Sequence, residues 1–524
     1  MLSDCSRAIL VLIVVLLLAG FFLRVHHPGA LPAFVDEFSH ISRAEMIYDF
    51  DQNPVGYSHG KLLLYFWLGL FRPEGTGALI VSRLAVALAV LAGSAAAAGV
   101  ARDLFGRRAM IVALAFYILV PYGLFFERMA LADPFTGALA ALTAWASIRL
   151  ARKPTRTRGF WVGLLAALTP LAKLTTGLIV LLPLLAILLL PHPPPSSPHR
   201  REEEEAVRKS SLQRMDERVV NRLWLRYRRA LVPAIGMYML VWAGFGIAAL
   251  TDKLNGHEPI IIDTHLAEAE PTGSTLSDNL NEFAERADLL LSVPMSLLLV
   301  GLTAAMLWKY PRQGGFALVW LALIWLPNVL IVVTVSSRYL AAGIPALAVI
   351  FGGGMVATGD WAAERLTRAQ HAARLRKVIS GGMAFGVLLV WAAGFALPFA
   401  WNTMNNPAAL HMTKNDTYNY FWGSFNTWGT RESLDYLKTS AERIEGKIPV
   451  LGVLRHCAIV TLYVSNDFLW ACQDPYDFPN RDMPADISRW ILLRHGLDRW
   501  PYIYLVTEYD DYIPLDDPPD DLPL

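Results

Sequence analysis

Apolar residues along this chain come in long runs, and short polar stretches separate the runs. Runs of about 17–25 apolar residues suit helices that cross a bilayer. They occur near 7–23, 78–100, 109–126, 133–150, 230–250, 288–307, 315–333, 339–358 and 378–400. The stretch 159–190 carries no charge except Lys173 and is too long for one crossing, and Pro170 and Lys173 mark a short turn between two spans. The pattern predicts a polytopic α-helical membrane protein with about eleven spans. Leu62–Phe71 is too short to cross. With Tyr65, Phe66 and Trp67 as an aromatic anchor it predicts an interfacial helix in the first outer loop. The run from Arg7 to Leu23 lacks a small-x-small cleavage site, so an uncleaved first span is expected rather than a signal peptide.

Charge tests this count, because Lys and Arg collect in cytoplasmic loops. With the N-terminus cytoplasmic, the inside loops hold Arg102, Arg107 and Arg108, then Arg149, Arg152, Lys153, Arg156 and Arg158. The basic stretch from Arg200 to Arg229 follows, then Lys309 with Arg312, then Arg365, Arg368, Arg374, Arg376 and Lys377. The outer segment 251–288 instead carries Asp252, Glu258, Asp263, Glu268, Glu270, Asp278, Glu282, Glu285 and Asp288. Alternate loops fall on the expected sides, which leaves residues 402–524 outside the cytoplasm. Treating 62–71 as a span would invert every later loop.

Composition agrees with a membrane protein and narrows the function. The 524 residues are 54% hydrophobic and only 17% charged, against about a quarter charged in soluble chains. A net charge of +1 offers no case for nucleic-acid binding. The three cysteines, Cys5, Cys457 and Cys472, have no metal-ligand spacing. In an oxidising compartment Cys457 and Cys472 either pair or stay apart, and spacing alone does not decide between these.

The chain divides into a transmembrane domain over 1–401 and a soluble domain over 402–524. The first outer loop spans 24–77. A cytoplasmic linker spans 191–229, opening on a Pro-rich stretch and ending in a basic interfacial helix near Trp224. Beyond 402 the apolar runs shorten to strand length at Ile448–Leu454, Ile459–Val464 and Tyr502–Val506. Helical patterns at Thr430–Ile444 and Ala485–Arg494 alternate with them. This predicts a small extracytoplasmic α/β domain, with a loose Asp- and Pro-rich tail after Asp510.

The candidate chemistry lies among outward-facing polar residues. Adjacent carboxylates at Asp36-Glu37 suit a general base, a sugar-hydroxyl acceptor or a metal ligand; they equally suit a solvated loop. In His59-Gly60-Lys61 a lysine stands at headgroup level, where it either binds a lipid phosphate or anchors a helix by snorkelling. Glu127, Arg128 and Asp133 place three ionisable groups at one tight outer turn. Lys173 and Arg338-Tyr339 are the further outward cations, either phosphate contacts or interfacial anchors. His257 and His265 show no ligand spacing and read as ordinary loop residues. The aromatic stretch Tyr420–Leu437, with Trp422 and Trp428, either stacks on sugars or packs the domain against the membrane.

In its ordered motifs the chain resembles the GT-C glycosyltransferases, and within them the protein O-mannosyltransferases and the lipid A aminoarabinose transferase. The motifs are Asp36-Glu37 in the first outer loop, Lys61-Leu-Leu-Leu-Tyr-Phe-Trp-Leu68, Arg83-Leu84, Asp103-Leu-Phe-Gly-Arg-Arg108, Arg128 with Asp133, Lys173 and Arg338-Tyr339-Leu340. The resemblance covers roughly 7–400 and is strongest over 30–180. It implies a sugar donor on a polyprenyl or dolichyl phosphate, transfer on the extracytoplasmic face to a lipid, glycan or protein acceptor, and inversion. It implies Asp36 as general base, Glu37 supporting it, and Asp133 holding the sugar or the site. Lys61 binds the phosphate in this reading, helped by Arg128, Arg338 or Lys173, with His59, Glu127 and Tyr339 near the substrate. No cofactor is implied, and a divalent metal stays open. Two departures stand out: Leu62-Leu63 replace a usual Pro-Pro after the lysine, and no MIR-type repeat occurs. A transporter or flippase would place charges at mid-membrane in repeated halves, which this sequence lacks. A non-catalytic membrane subunit is the third reading.

Overall fold

A computed structural model describes residues 4–190, 217–256, 276–330, 336–366, 373–422, 426–453, 457–473 and 504–507. Its first part comprises helices α1 (Asp4–Val25), α2 (Val35–Met46), α3 (Leu62–Gly69), α4 (Ala78–Phe105), α5 (Arg107–Leu119), α6 (Pro121–Phe126), α7 (Ala132–Arg152), α8 (Arg156–Ala172) and α9 (Leu182–Leu189). The bundle continues with Glu217–Leu254, Leu276–Leu291, Val293–Lys309, Pro311–Leu330, Ser337–Ala341, Ile344–Leu366, Ala373–Trp391 and Leu397–Asn405. Among the described residues six helices are long and apolar enough to cross a membrane: Arg7–Val25, Gly75–Phe105, Leu225–Leu254, Pro311–Leu330, Ile344–Arg365 and Ala384–Asn405. Leu174–Leu189 and Val293–Lys309 are apolar but shorter. The chain is an integral membrane protein.

Local chemistry explains the breaks between helices. The run 109–126 is two helices, because Pro121 cannot donate a backbone hydrogen bond into the turn before it and so opens α6 at its first position. At Lys173 the backbone is extended, so α8 stops at Ala172 and a 3₁₀ stretch, Leu174–Leu181, leads into α9. The expected turn between two spans therefore falls at Lys173. The Leu62 run is the eight-residue α3, which buries Leu64, Tyr65 and Leu68 against the bundle.

Small residues let the helices touch. Gly159 and Gly163 of α8 lie against Ala230 and Ala234 of helix Glu217–Leu254. A Cβ built on either glycine would fall 1.9 and 2.1 Å from the facing carbonyl oxygens. Gly93 of α4 meets the Ala138 backbone of α7 in the same way. Spacing small residues four apart is the usual route to close contact where lipid offers no hydrophobic drive. At one end of the bundle Arg108 and Lys309 both reach Asp360, at 3.0 and 3.1 Å, and Arg152 reaches Asp103 at 3.1 Å. Loops predicted for the cytoplasmic side thus share one end.

Past residue 410 the architecture changes to α/β. Strands β1 (Ile448–Val453), β2 (Phe468–Gln473) and β3 (Tyr504–Thr507) form a parallel sheet in the order β2-β1-β3, flanked by helix Thr430–Ser440. The expected strand Ile459–Val464 is instead the short helix Cys457–Val460 followed by a turn. Ile459 and Leu462, three residues apart, pack together on the membrane domain, while Val460 faces the sheet. That spacing suits helical turns and not the alternation of a strand. Cys457 and Cys472 form a disulfide with Cα atoms 5.6 Å apart, tying this helix to β2. The 485–494 helical pattern, the tail after 510 and most of the 191–229 linker lie outside the described residues.

Candidate functional site

Asp36 and Glu37 occupy the first turn of α2, where a helix N-terminus favours negative charge. Their side chains part company. Glu37 is fully buried and receives both arms of Arg83, Nε at 2.8 Å and Nη2 at 2.6 Å. It also accepts from the Ala130 amide at 2.7 Å and the Phe34 amide at 3.2 Å. The remaining Arg83 protons go to the carbonyls of Pro28, Leu31 and Pro32. Glu37 is thereby a fastening between α2, α4 and the turn before α7, and both its oxygens are occupied.

Asp36 keeps 26% of its side chain exposed and accepts a hydrogen bond from Arg338 Nη1, 302 residues later in the chain. Burial pushes its carboxyl up, but Arg338 and Lys61 outweigh that and hold it well below the usual carboxylate range. A second acid–base pair stands alongside: Lys173 Nζ lies 2.6 Å from Asp133 Oδ1. Tyr339 links the two pairs. Lys173 Nζ sits 4.1 Å from its ring centroid, and the Arg338 guanidinium sits 5.4 Å from the same ring.

Lys61 joins from α3, which it caps. Its loop turns through left-handed backbone at His59 and Gly60, with φ of 43° and 71°. The Gly60 carbonyl accepts from the Leu174 amide at 3.1 Å, so the loops carrying Lys61 and Lys173 are stitched together. His40, one helical turn beyond Asp36, is buried. Its Nδ1 lies 2.8 Å from the Ala130 carbonyl, and its Nε2 has no hydrogen-bond partner among the described residues. Burial first, then the Lys61 charge, drives its pKa down to about 3, so the ring is neutral. Glu37 and His40 thus grip the amide and the carbonyl of Ala130, three residues before Asp133.

The structure brings together Asp36, Lys61, Asp133, Lys173, Arg338 and Tyr339, with His59 in the Lys61 loop. It takes Glu127 and Arg128 elsewhere. Glu127 is buried against Arg24 at 2.5 Å and the Tyr117 hydroxyl at 2.7 Å. Arg128 is buried too, and donates to the carbonyls of Leu23, His26 and His27 at 2.6–2.8 Å, closing the C-terminal end of α1. His257 and His265 lie outside the described residues. His40 and Asp416 were not singled out from the sequence. His40 stands four residues after Asp36, a spacing that puts both on one helix face. Asp416, buried, accepts from Ser337 Oγ, one residue before Arg338, and from Thr413 Oγ1, and has no comparable sequence signal. Among the described residues no group of three or more His, Cys, Asp and Glu is arranged to hold a metal.

Comparison with known proteins places this geometry. Residues 61–198 match the family model described as dolichyl-phosphate-mannose-protein mannosyltransferase. No curated protein sequence matches. The crystal structure of ArnT from Cupriavidus metallidurans in the apo state superposes with a TM-score of 0.56 at 16% identity, covering 98% of this chain and 95% of that one. The chain has the GT-C glycosyltransferase fold. ArnT from the same organism bound to undecaprenyl phosphate matches with a TM-score of 0.52 at 15% identity, over 95% of this chain and 90% of that chain. Within the GT-C fold the paired charges lie at the end of α4 opposite the Asp103 and Asp360 clusters, where α2 and the Lys173 turn meet.

Proposed function

We propose that the chain is an inverting glycosyltransferase, taking a sugar from a polyprenyl- or dolichyl-phosphate donor and passing it to an acceptor hydroxyl on the extracytoplasmic face. The reading rests on one observation above others: within the GT-C fold, Asp36 lies beside Arg338 and Lys61, and Tyr339 joins that group to the Lys173–Asp133 pair, so three cations arrive from separate segments. A phosphate leaving group needs fixed positive charge as its bond to the anomeric carbon breaks. The acceptor oxygen attacks that carbon from the opposite side, its proton passes to Asp36, and the lipid phosphate departs as an anion. One displacement inverts the centre.

The Asp36–Arg338 pair gives the sequence of events a physical order. With Arg338 on it, Asp36 is too weak a base to take a hydroxyl proton. A donor phosphate draws Arg338 and Lys61 toward itself, and Asp36 regains basicity as it loses those charges. Glu37 and Arg83 act as positioning residues. Glu127 and Arg128 hold the end of α1 instead of touching the donor. Asp133, fixed by Lys173, is the acid placed to meet sugar hydroxyls.

The test is transfer by purified protein in lipid nanodiscs supplied with a panel of undecaprenyl-phosphate hexoses and pentoses. Asp36→Asn should abolish consumption of the donor while the melting temperature and undecaprenyl phosphate binding are kept, and Lys61→Ala should weaken that binding about tenfold or more. Full turnover by Asp36→Asn would end this mechanism.

A further inference from the structure

The outer domain presses on the segment leading into the Asp36 helix at more than one point. Ala33, fully buried, donates its amide to Thr427 Oγ1 at 3.1 Å and to the Tyr463 hydroxyl at 2.8 Å. The Thr427 amide returns a bond to the Ala33 carbonyl at 3.2 Å, and Phe34 bridges Asn426 as a strand pair would. The Phe34 ring packs on Tyr420 with centroids 4.7 Å apart. Ile459 and Leu462 close over Ala33, Ile41, Ala78 and Leu79. Asp36 is three residues beyond Ala33. Its partner Arg338 is held from the same side, because Asp416 accepts a hydrogen bond from Ser337, the residue before Arg338.

We propose that Thr427 and Tyr463 of the outer domain are positioning residues for Asp36: they clamp Ala33 from outside while Arg83 holds Leu31 and Pro32 from inside. Tyr463 owes its place to the disulfide, which ties the helix Cys457–Val460 leading into it to β2. The loop between these two grips has no freedom to carry Asp36 away from the cations. The consequence for sugar transfer rests on the function proposed above; the clamp itself does not.

The test compares the full-length wild type with Thr427→Val/Tyr463→Phe, which removes both hydroxyls at little change in volume, and with Thr427→Ser, which keeps both. Hydrogen exchange over residues 30–37 should quicken about tenfold in the double variant and stay near wild type in Thr427→Ser, with peptides in α4 and α7 unchanged. In the transfer assay the double variant should lose about tenfold in kcat with little change in KM for the undecaprenyl-phosphate sugar. The acidic limb of its kcat profile, which reports Asp36 with the donor bound, should move by about one pH unit. Unchanged exchange over 30–37 overturns the clamp whatever transfer does. Faster exchange with an unmoved kcat and acidic limb overturns the positioning of Asp36. If the wild type consumes no donor of the panel, the transferase reading fails on its own and exchange alone decides the clamp.

Discussion

At the residue scale, single polar side chains stand out only where their surroundings are apolar. Asp36, Lys61, Asp133, Lys173 and Arg338 were legible for that reason, as charges at the outer ends of apolar runs. Their pairing was not legible, because the Asp36 partner lies 302 residues away and the Glu37 partner 46. Adjacent Asp36 and Glu37 look alike in sequence, and only packing separates a carboxylate that stays about a quarter exposed from one closed over by Arg83. Arg83→Ala would leave Glu37 buried and unpaired together with three stranded carbonyls. It should cost about 3–5 kcal/mol, read as a lowered melting temperature in detergent. Arg108→Ala, which breaks an exposed pair with Asp360, should change stability by about 1 kcal/mol or less. His40 predicts a pH effect of definite sign. Its ring stays neutral in the folded protein down to about pH 3, while in the unfolded chain it protonates below about 6.5. Unfolding therefore takes up a proton in that window. The stability is whole above pH 6.5 and drains as pH falls, by up to about 1.4 kcal/mol per unit. His40→Asn should flatten the decline in melting temperature between pH 6.5 and 4; an identical slope in the variant would remove His40 as its source.

At the element scale, helices were legible because apolar length is a strong signal, and their breaks followed from Pro121 and the extended backbone at Lys173. The Ile459–Val464 run misled because a short apolar run looks the same as strand or as buried helical turn until its two packing faces are known. Helix pairing was hidden as well, although Gly159 and Gly163 carry it in a small-residue repeat. Gly163→Ile should force α8 off helix Glu217–Leu254, since even a Cβ there meets the Ala234 carbonyl oxygen at 2.1 Å. The expected result is a fall in melting temperature of several degrees. Gly236→Ile, on the opposing helix but facing open space, should leave it unchanged or raised. Equal losses from both substitutions would mean that the close contact at Gly163 does not govern this pair.

At the scale of the whole molecule, the two ends of the bundle carry different chemistry. Helix α4 carries Leu79, which packs beside the Asp36 helix, and Asp103, which meets Arg152, so about 36 Å of helix separates the paired charges from the basic loops. Arg108, Lys309, Asp360 and Arg152 gather at the second end although their loops are far apart in sequence. That sharing of an end is what alternate crossings require, and the Lys and Arg excess points that end toward the cytoplasm. Direction follows from charge alone and is open to a direct measurement. A chain with Cys5 replaced by serine, carrying Asp278→Cys or Glu364→Cys, should be labelled in right-side-out vesicles by a membrane-impermeant maleimide at 278 and not at 364. Permeabilisation should then expose 364. Labelling of both positions from outside would break the crossing count between residues 276 and 366. Labelling of 364 alone would turn the protein over, place the outer domain in the cytoplasm, and remove the oxidising surroundings that the Cys457–Cys472 disulfide needs.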